Sequence, residues 1–117
     1  MKKTLILGAG MALALAGFAT AQEEASEPPV PFTEEYLTDA GNIEAGGVIW
    51  HEQCTHCHGA KAYPGKAPKL KPARYEPDFV YRRVTDGFRK MPAWEDVFTD
   101  EERMQIVAYV MSDKFSP

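Results

Sequence analysis

Cysteine is scarce in this sequence of 117 residues: only Cys54 and Cys57 occur, three positions apart. A framework of several disulfides is therefore excluded as the source of stability. Beyond residue 21 there is no long apolar run, which excludes a polytopic membrane protein. Residues 22–52 contain eight acidic residues and no Lys or Arg. All 17 acidic residues but only 11 of the 13 basic residues lie after residue 21, so residues 22–117 carry a formal charge of −6. A chain this acidic is not expected to bind nucleic acid.

The first 21 residues have the pattern of a secretory signal peptide. Lys2 and Lys3 precede an apolar run over 5–16, and residues 19–21 are the small side chains that a signal peptidase reads. The alternative is an uncleaved membrane anchor, which needs about 20 apolar residues. The run and its flank cover 15 residues, from 5 to 19. We therefore predict a signal peptide over 1–21, export of a chain that begins at residue 22, and no stable membrane anchor.

Residues 22–41 are acidic, contain three prolines and show no periodicity, which predicts an extended or loosely attached arm. The domain is expected over 42–117, with its first helix beginning at Asn42 as the N-cap. One face of that helix carries residues at spacings of three, four and seven: Ile43, Gly46, Gly47, Trp50 and Cys54. Two adjacent glycines weaken a helix by about 1 kcal/mol each relative to alanine, so they need a packing reason such as a close helix crossing.

Prolines, glycines and helix-capping residues mark the element boundaries in the remainder of the chain. Residues 59–76 contain three prolines and two glycines, which predicts a long loop that wraps a ligand or site. Pro77 suits the first position of a second helix, which Gly87 can end. Thr99 and Glu102 form a capping box at the start of an amphipathic terminal helix. No segment alternates apolar and polar residues, so the fold class is predicted to be all-α.

Residues 54–58, Cys-Thr-His-Cys-His, have the form C-x-x-C-H. Two thiols one helical turn apart can reach the two vinyl groups of one porphyrin, and His58 then binds the iron. Three alternatives compete with this interpretation. A plain disulfide leaves His58 unexplained, and a thioredoxin-like dithiol needs a β-α-β context. A zinc site needs four ligands, and outside the motif residues 22–117 add one histidine, His51, and no further cysteine. The motif therefore predicts one covalently attached haem c.

A six-coordinate iron needs a second axial ligand from beyond the loop. Met104 and Met111 lie in the predicted terminal helix, where core packing or partial exposure is the default role. Met91 lies in an irregular stretch 33 residues after His58, and Pro92 favours an extended backbone there. Core filling is the alternative for an isolated Met-Pro pair. We predict that the Met91 thioether is the second ligand.

From about Asn42 to Ser112 the sequence resembles the class I monohaem cytochromes c. The residues that carry the resemblance are Gly46, Trp50, Cys54, Cys57, His58, Gly59, Pro68, Leu70, Gly87, Met91, Pro92 and Tyr109. The resemblance implies a cytochrome c fold of three to four helices around one covalent haem, with the terminal helix crossing the first near Gly46 and Trp50. It also implies a hydrogen bond from the second ring nitrogen of His58 to the Pro68 carbonyl.

The same resemblance implies a haem pocket, and the charge pattern predicts a docking surface. The pocket candidates are Trp50, Pro68, Leu70, Tyr75 and Trp94; for Tyr75 and Trp94, plain aromatic packing is the alternative. Basic residues between the two predicted ligands are expected to ring the exposed haem edge and to steer the protein toward acidic patches on redox partners. The docking candidates are Lys61, Lys66, Lys69, Lys71, Arg89 and Lys90.

The function implied is one-electron transfer in the periplasm by a monomer, from a dehydrogenase toward a terminal oxidase, without catalysis. Residues 39–46 are also similar to cytochromes that serve periplasmic quinoprotein alcohol dehydrogenases. Two alternatives stay open. One is a subunit held permanently by a dehydrogenase, with 22–41 as its tether. The other is a haem enzyme or gas sensor in which Met91 dissociates.

Overall fold

The computed structural model describes residues 25–115, and these residues form helices and loops without a β-strand. The α-helices are α1 (Glu34–Thr38), α2 (Ala40–Ile49), α3 (Thr55–His58), α4 (Pro77–Asp86) and α5 (Asp100–Met111). The predicted all-α class is thereby confirmed. The predicted signal peptide lies outside the described residues. Within 25–115 none of the helices has the length and apolar character needed to cross a bilayer.

Part of the acidic segment 22–41 is helical and packs on the domain. The Tyr36 hydroxyl of α1 donates to Glu101 Oε1 of α5 at 3.1 Å, and the Phe32 ring meets the Tyr81 ring edge-on at 6.2 Å. Helix α2 begins before Asn42, because the N-cap is Asp39, whose carboxylate accepts the Asn42 N–H at 2.8 Å. The prediction of Asn42 as the N-cap was therefore wrong, and residue 42 lies inside α2.

Helix α5 crosses α2 at the two glycines. A Cβ atom at Gly46 would collide with the Gln105 carbonyl and stand 3.0 Å from the Ile106 nitrogen. At Gly47 it would stand 3.2 Å from the Tyr109 ring. This confirms the expected crossing of the first and terminal helices. It also supplies the packing reason for two glycines that helix propensity alone disfavours.

The core lies between α2, α4 and α5. Ile106, Val107 and Ala108 of α5 are at most 1% exposed. Next to them the Trp50 indole meets the Phe115 ring edge-on, with centroids 4.7 Å apart. Such aromatic pairs stabilise a small core beyond the area that they bury.

A π-helical turn, Trp50–Cys54, joins α2 to α3. The Thr55 N–H donates to the Trp50 carbonyl five residues back, so this turn holds one residue more than an α-helical turn. The helix face predicted from the spacing is buried up to Trp50: Trp50 is buried, as are Ile43, Gly46 and Gly47. Cys54, after the wide turn, is only half-buried.

Candidate functional site

Helix α3 carries the end of the C-x-x-C-H motif, and the loop after it folds back onto the motif. Gly59 ends the helix with a φ of +79°, a conformation that favours glycine. The Ala67 N–H then donates to the Cys57 carbonyl at 2.7 Å. A Cβ atom at Gly65 would stand 2.6 Å from the His58 carbonyl carbon, so the loop touches the motif through its backbone. The predicted long loop therefore packs against the motif, and a short 3₁₀ turn, Pro72–Arg74, precedes α4.

The two cysteine side chains differ in exposure, Cys54 being half-buried and Cys57 exposed. Burial, and then the neighbouring Cys57, raise the pKa of Cys54 to about 11. A thioredoxin-like dithiol needs a β-α-β context, and the described residues 25–115 contain no β-strand, which does not favour that alternative. Within residues 25–115 no three His, Cys, Asp or Glu side chains converge as metal ligands, which does not favour a zinc site.

The His58 ring packs on the Trp50 indole, with centroids 5.3 Å apart. Burial lowers the pKa of His58, so the imidazole is neutral at pH 7, the form that ligates metals. Its Nδ1 atom is buried and lacks a hydrogen-bond partner among the described residues. The hydrogen bond to Pro68 implied by the resemblance is therefore not made. Pro68 is exposed. Residues on either side of it make the backbone hydrogen bonds of this loop: the Ala67 N–H donates to the Cys57 carbonyl and the Leu70 N–H to the Ala62 carbonyl.

Met91 lies at the end of a tight two-residue turn. The Phe88 N–H donates to the Met91 carbonyl and the Met91 N–H to the Phe88 carbonyl, both at 3.0 Å. Arg89 in this turn has a φ of +56°, a left-handed conformation that costs a residue with a side chain about 1–2 kcal/mol. Beyond the turn, the Trp94 N–H donates to the Val84 carbonyl of α4 at 3.0 Å. Met91 is thereby held half-buried against the core.

The predicted pocket residues differ in burial. Trp50 is 3% exposed, Leu70, Tyr75 and Trp94 are half-buried, and Pro68 is exposed. Sequence reasoning missed Phe79 and Phe98, which are half-buried and lie beside Tyr75 and Trp94 at centroid distances of 5.5 and 5.2 Å. Spacings of four residues in both pairs are the signal that would have found them. These side chains retain apolar surface that a porphyrin can cover.

The six docking candidates are all exposed. In the described part of the chain the one ion pair joins Arg103 to Asp100, so none of the six is neutralised by a carboxylate. Sequence reasoning also missed the contacts of Arg83. Its guanidinium carbon lies 4.2 Å from the centroid of the Phe88 ring and 4.9 Å from that of Phe79.

Comparison with known families gives a match to the model described as cytochrome c oxidase, cbb3-type, subunit III, over residues 41–110. The chain belongs to this family of c-type cytochromes. The matched range covers the C-x-x-C-H motif, the Met91 turn and most of α5. The predicted cytochrome c family is thereby confirmed.

Two curated relatives and one solved structure show the range of this similarity. The cytochrome is 34% identical over 104 residues to the quinohemoprotein alcohol dehydrogenase ADH-IIG of Pseudomonas putida, with 83% of this chain and 14% of the enzyme aligned. It is 30% identical over 80 residues to cytochrome c6 of Rippkaea orientalis, covering 62% of this chain and 72% of that one. Cytochrome CL of Methylophaga aminisulfidivorans MPT matches with a TM-score of 0.58 and 26% identity, over 64% of this chain and 57% of its own.

The cytochrome carries haem c, bound through a motif that Cys54 and Cys57 fit. The chain's own geometry agrees with this cofactor. The Cys54 and Cys57 side chains lie one turn apart, the half-buried His58 imidazole follows them directly, and half-buried apolar side chains follow in the loop and in α4. When bound, the haem supplies an iron that accepts and donates one electron. The general function of this cytochrome is therefore electron transfer.

Proposed function

We propose that this cytochrome is a periplasmic one-electron carrier in which His58 and Met91 hold the haem iron. The observation that carries the proposal is the Met91 turn. Backbone hydrogen bonds close it on both sides, and the Trp94 N–H fixes the chain just beyond it. A thioether held half-buried in this way suits a permanent axial ligand.

Two protein ligands leave no coordination position for a substrate, so we infer a carrier and not a catalyst. A neutral imidazole and a thioether are the ligand pair of His/Met cytochromes, and the thioether raises the reduction potential. In this chain, Trp50 and the loop backbone hold His58, while Gly87 and the turn hold Met91. Their task is to keep both ligands in place as the iron changes its oxidation state.

The ligation is tested with Met91→Ala in the haem-loaded protein, with Met104→Leu as the matched control. Met104 is 1% exposed, and leucine conserves its volume in the core. We expect Met91→Ala to lower the reduction potential and to abolish the weak red absorption band of methionine-bound ferric haem. The control should change neither. An unchanged Met91→Ala spectrum would remove Met91 as the ligand, and rapid carbon monoxide binding to the unaltered reduced protein would favour a gas sensor.

We infer that the electron donor is a periplasmic dehydrogenase and that the acceptor leads toward a terminal oxidase. Similarity to a quinohemoprotein alcohol dehydrogenase over 83% of the chain supports the donor class. The matched family model, described as a cbb3-type oxidase subunit, supports the acceptor class. The exposed bases from Lys61 to Lys90 are expected to guide both encounters toward acidic patches.

This docking is tested by stopped-flow reduction with a quinoprotein alcohol dehydrogenase at increasing ionic strength. Changing Lys69 and Lys71 to glutamate should reduce the association rate at least about twofold, because attraction becomes repulsion. Lys114→Glu is the matched control, an exposed lysine outside the basic loop. A rate that does not depend on salt would contradict electrostatic docking.

A second candidate function is that of a haem subunit bound permanently to one dehydrogenase. The observation that favours it is that 83% of this chain aligns with a small part, 14%, of a dehydrogenase. Size-exclusion chromatography of a native periplasmic extract distinguishes the two. A free carrier elutes near the mass of one copy, whereas a subunit elutes with dehydrogenase activity.

A further inference from the structure

We propose that Arg83 is a positioning residue for Met91, acting through the ring of Phe88. This inference rests on the proposed ligation by Met91. Arg83 lies in α4, and Phe88 opens the turn that Met91 closes. The guanidinium of Arg83 therefore connects a helix of the core to the turn that carries the ligand.

The contacts form a continuous chain from α4 to the turn. The Arg83 guanidinium carbon lies over two rings, 4.9 Å from the Phe79 centroid and 4.2 Å from the Phe88 centroid. On the α4 side the Phe79 ring meets Tyr75 at 5.5 Å. At the turn, the Arg89 guanidinium lies 5.1 Å from the Phe88 centroid. A cation this close to two aromatic faces is attracted to both by cation-π interaction.

The turn needs such an anchor because its backbone is not relaxed. Arg89 adopts a left-handed conformation at φ +56°, directly before Lys90 and Met91. Phe88 is 50% exposed, so little burial holds its ring in place. Without the Arg83 contact, only the two backbone hydrogen bonds between Phe88 and Met91 oppose relaxation of the turn toward ordinary φ values, and the Met91 side chain would move with it.

The Arg83 guanidinium contacts aromatic rings and does not form an ion pair with a described carboxylate. No carboxylate among the described residues lies within ion-pairing distance of Arg83. The flat guanidinium stacks on rings, whereas a lysine ammonium is a compact and strongly hydrated charge. Arg83→Lys therefore removes the planar guanidinium from both rings while leaving the net charge near the site unchanged.

The test measures imidazole binding to the ferric, haem-loaded protein, since imidazole competes with Met91 for the iron. We expect Arg83→Lys to increase imidazole affinity about tenfold, equivalent to ~1.4 kcal/mol, and to weaken the red absorption band. Phe88→Leu, which deletes the ring, should do the same. Phe88→Tyr keeps the ring and should retain wild-type affinity. Arg82→Lys is the matched control, because Arg82 is the neighbouring half-buried arginine of the same helix.

The double variant of Arg83→Lys with Phe88→Leu separates positioning from general loosening. If the two residues act through one contact, the double variant should bind imidazole no more than about tenfold more tightly than wild type. Effects that multiply to about a hundredfold would overturn the proposal. Wild-type imidazole affinity in Arg83→Lys would also overturn the proposal. If Met91→Ala binds imidazole tightly in the same experiment, the Met91 ligation stands. Wild-type affinity in Met91→Ala would overturn the ligation and this inference together.

Discussion

Replacing Gly46 with alanine tests whether α2 and α5 touch through their backbones. The added methyl group would meet the Gln105 carbonyl and the Ile106 nitrogen, the latter at 3.0 Å. Both are main-chain atoms in the middle of a helix and cannot rotate away. Helix α5 must therefore move as a body, and the buried side chains next to it must repack.

The expected magnitude follows from two opposing terms. Alanine is a better helix former than glycine by about 1 kcal/mol. Overpacking a well-packed core costs about 3 kcal/mol when backbone has to shift. We expect Gly46→Ala to lower the free energy of unfolding by about 2 kcal/mol. For a domain of this size, that loss corresponds to a fall in Tm of about 8–16 °C.

Gly47→Ala is the matched control, one residue along the same helix. Its added methyl group would stand 3.2 Å from the Tyr109 ring, a side chain that can tilt. The gain in helix propensity offsets this smaller cost, so stability should stay within about 1 kcal/mol of wild type. Both variants are measured with haem attached, by guanidinium unfolding and far-UV circular dichroism. Equal stability of the two variants would refute backbone contact at Gly46.

Two further predictions concern the start of α5. The Tyr81 hydroxyl, and then Arg103, lower the pKa of Asp100 from its ordinary value of 3.8. The Asp100 carboxylate therefore stabilises the fold above that value, and this contribution is lost as the pH falls through the lowered pKa. Stability is measured by thermal melts between pH 7 and pH 2. Asp100→Asn should lose less stability on acidification than wild type, and equal losses would contradict a stabilising role of the Asp100 carboxylate. Thr99→Ala removes one half of the capping box with Glu102 and should lower the free energy of unfolding by about 1 kcal/mol in urea, an effect absent if the cap is not formed.

Elements fixed by local chemistry were predictable from the sequence. The Thr99 hydroxyl accepts the Glu102 N–H at 3.2 Å, and Glu102 Oε2 accepts the Thr99 N–H at 2.8 Å. Pro77 and Gly87 also mark the start and the end of α4 as predicted. Each of these signals acts over three or four residues and needs no knowledge of the tertiary structure.

Choices between similar local signals were not predictable. Asp39 and Asn42 are both good caps, and the structure uses Asp39 while the Asn42 side chain donates to the Tyr36 carbonyl at 3.2 Å. Helix α1 is only five residues long, and its contacts with α5 are distant in sequence. A helix this short depends on tertiary contacts, which periodicity does not reveal.

The candidate site shows the same division. Cys54, Cys57 and His58 are contiguous, so the motif was recognisable without the fold. The contact of Arg83 with Phe88 depends on the end of α4 and on the path of the next turn. The sequence contains both residues, but their five-residue separation spans the helix end at Gly87. Only the folded chain brings them face to face.

The wide turn at Trp50–Cys54 has a consequence for anyone who transplants the attachment motif into a designed scaffold. Successive residues of a regular α-helix are rotated by about 100° around its axis. One extra residue in a turn therefore changes the direction of every side chain that follows it. If residues 54–58 alone are grafted onto a regular α-helix, both cysteine side chains will point in a different direction around the helix axis. The transplant must therefore include residues 50–54, with their looser winding, to preserve the direction of the bonds.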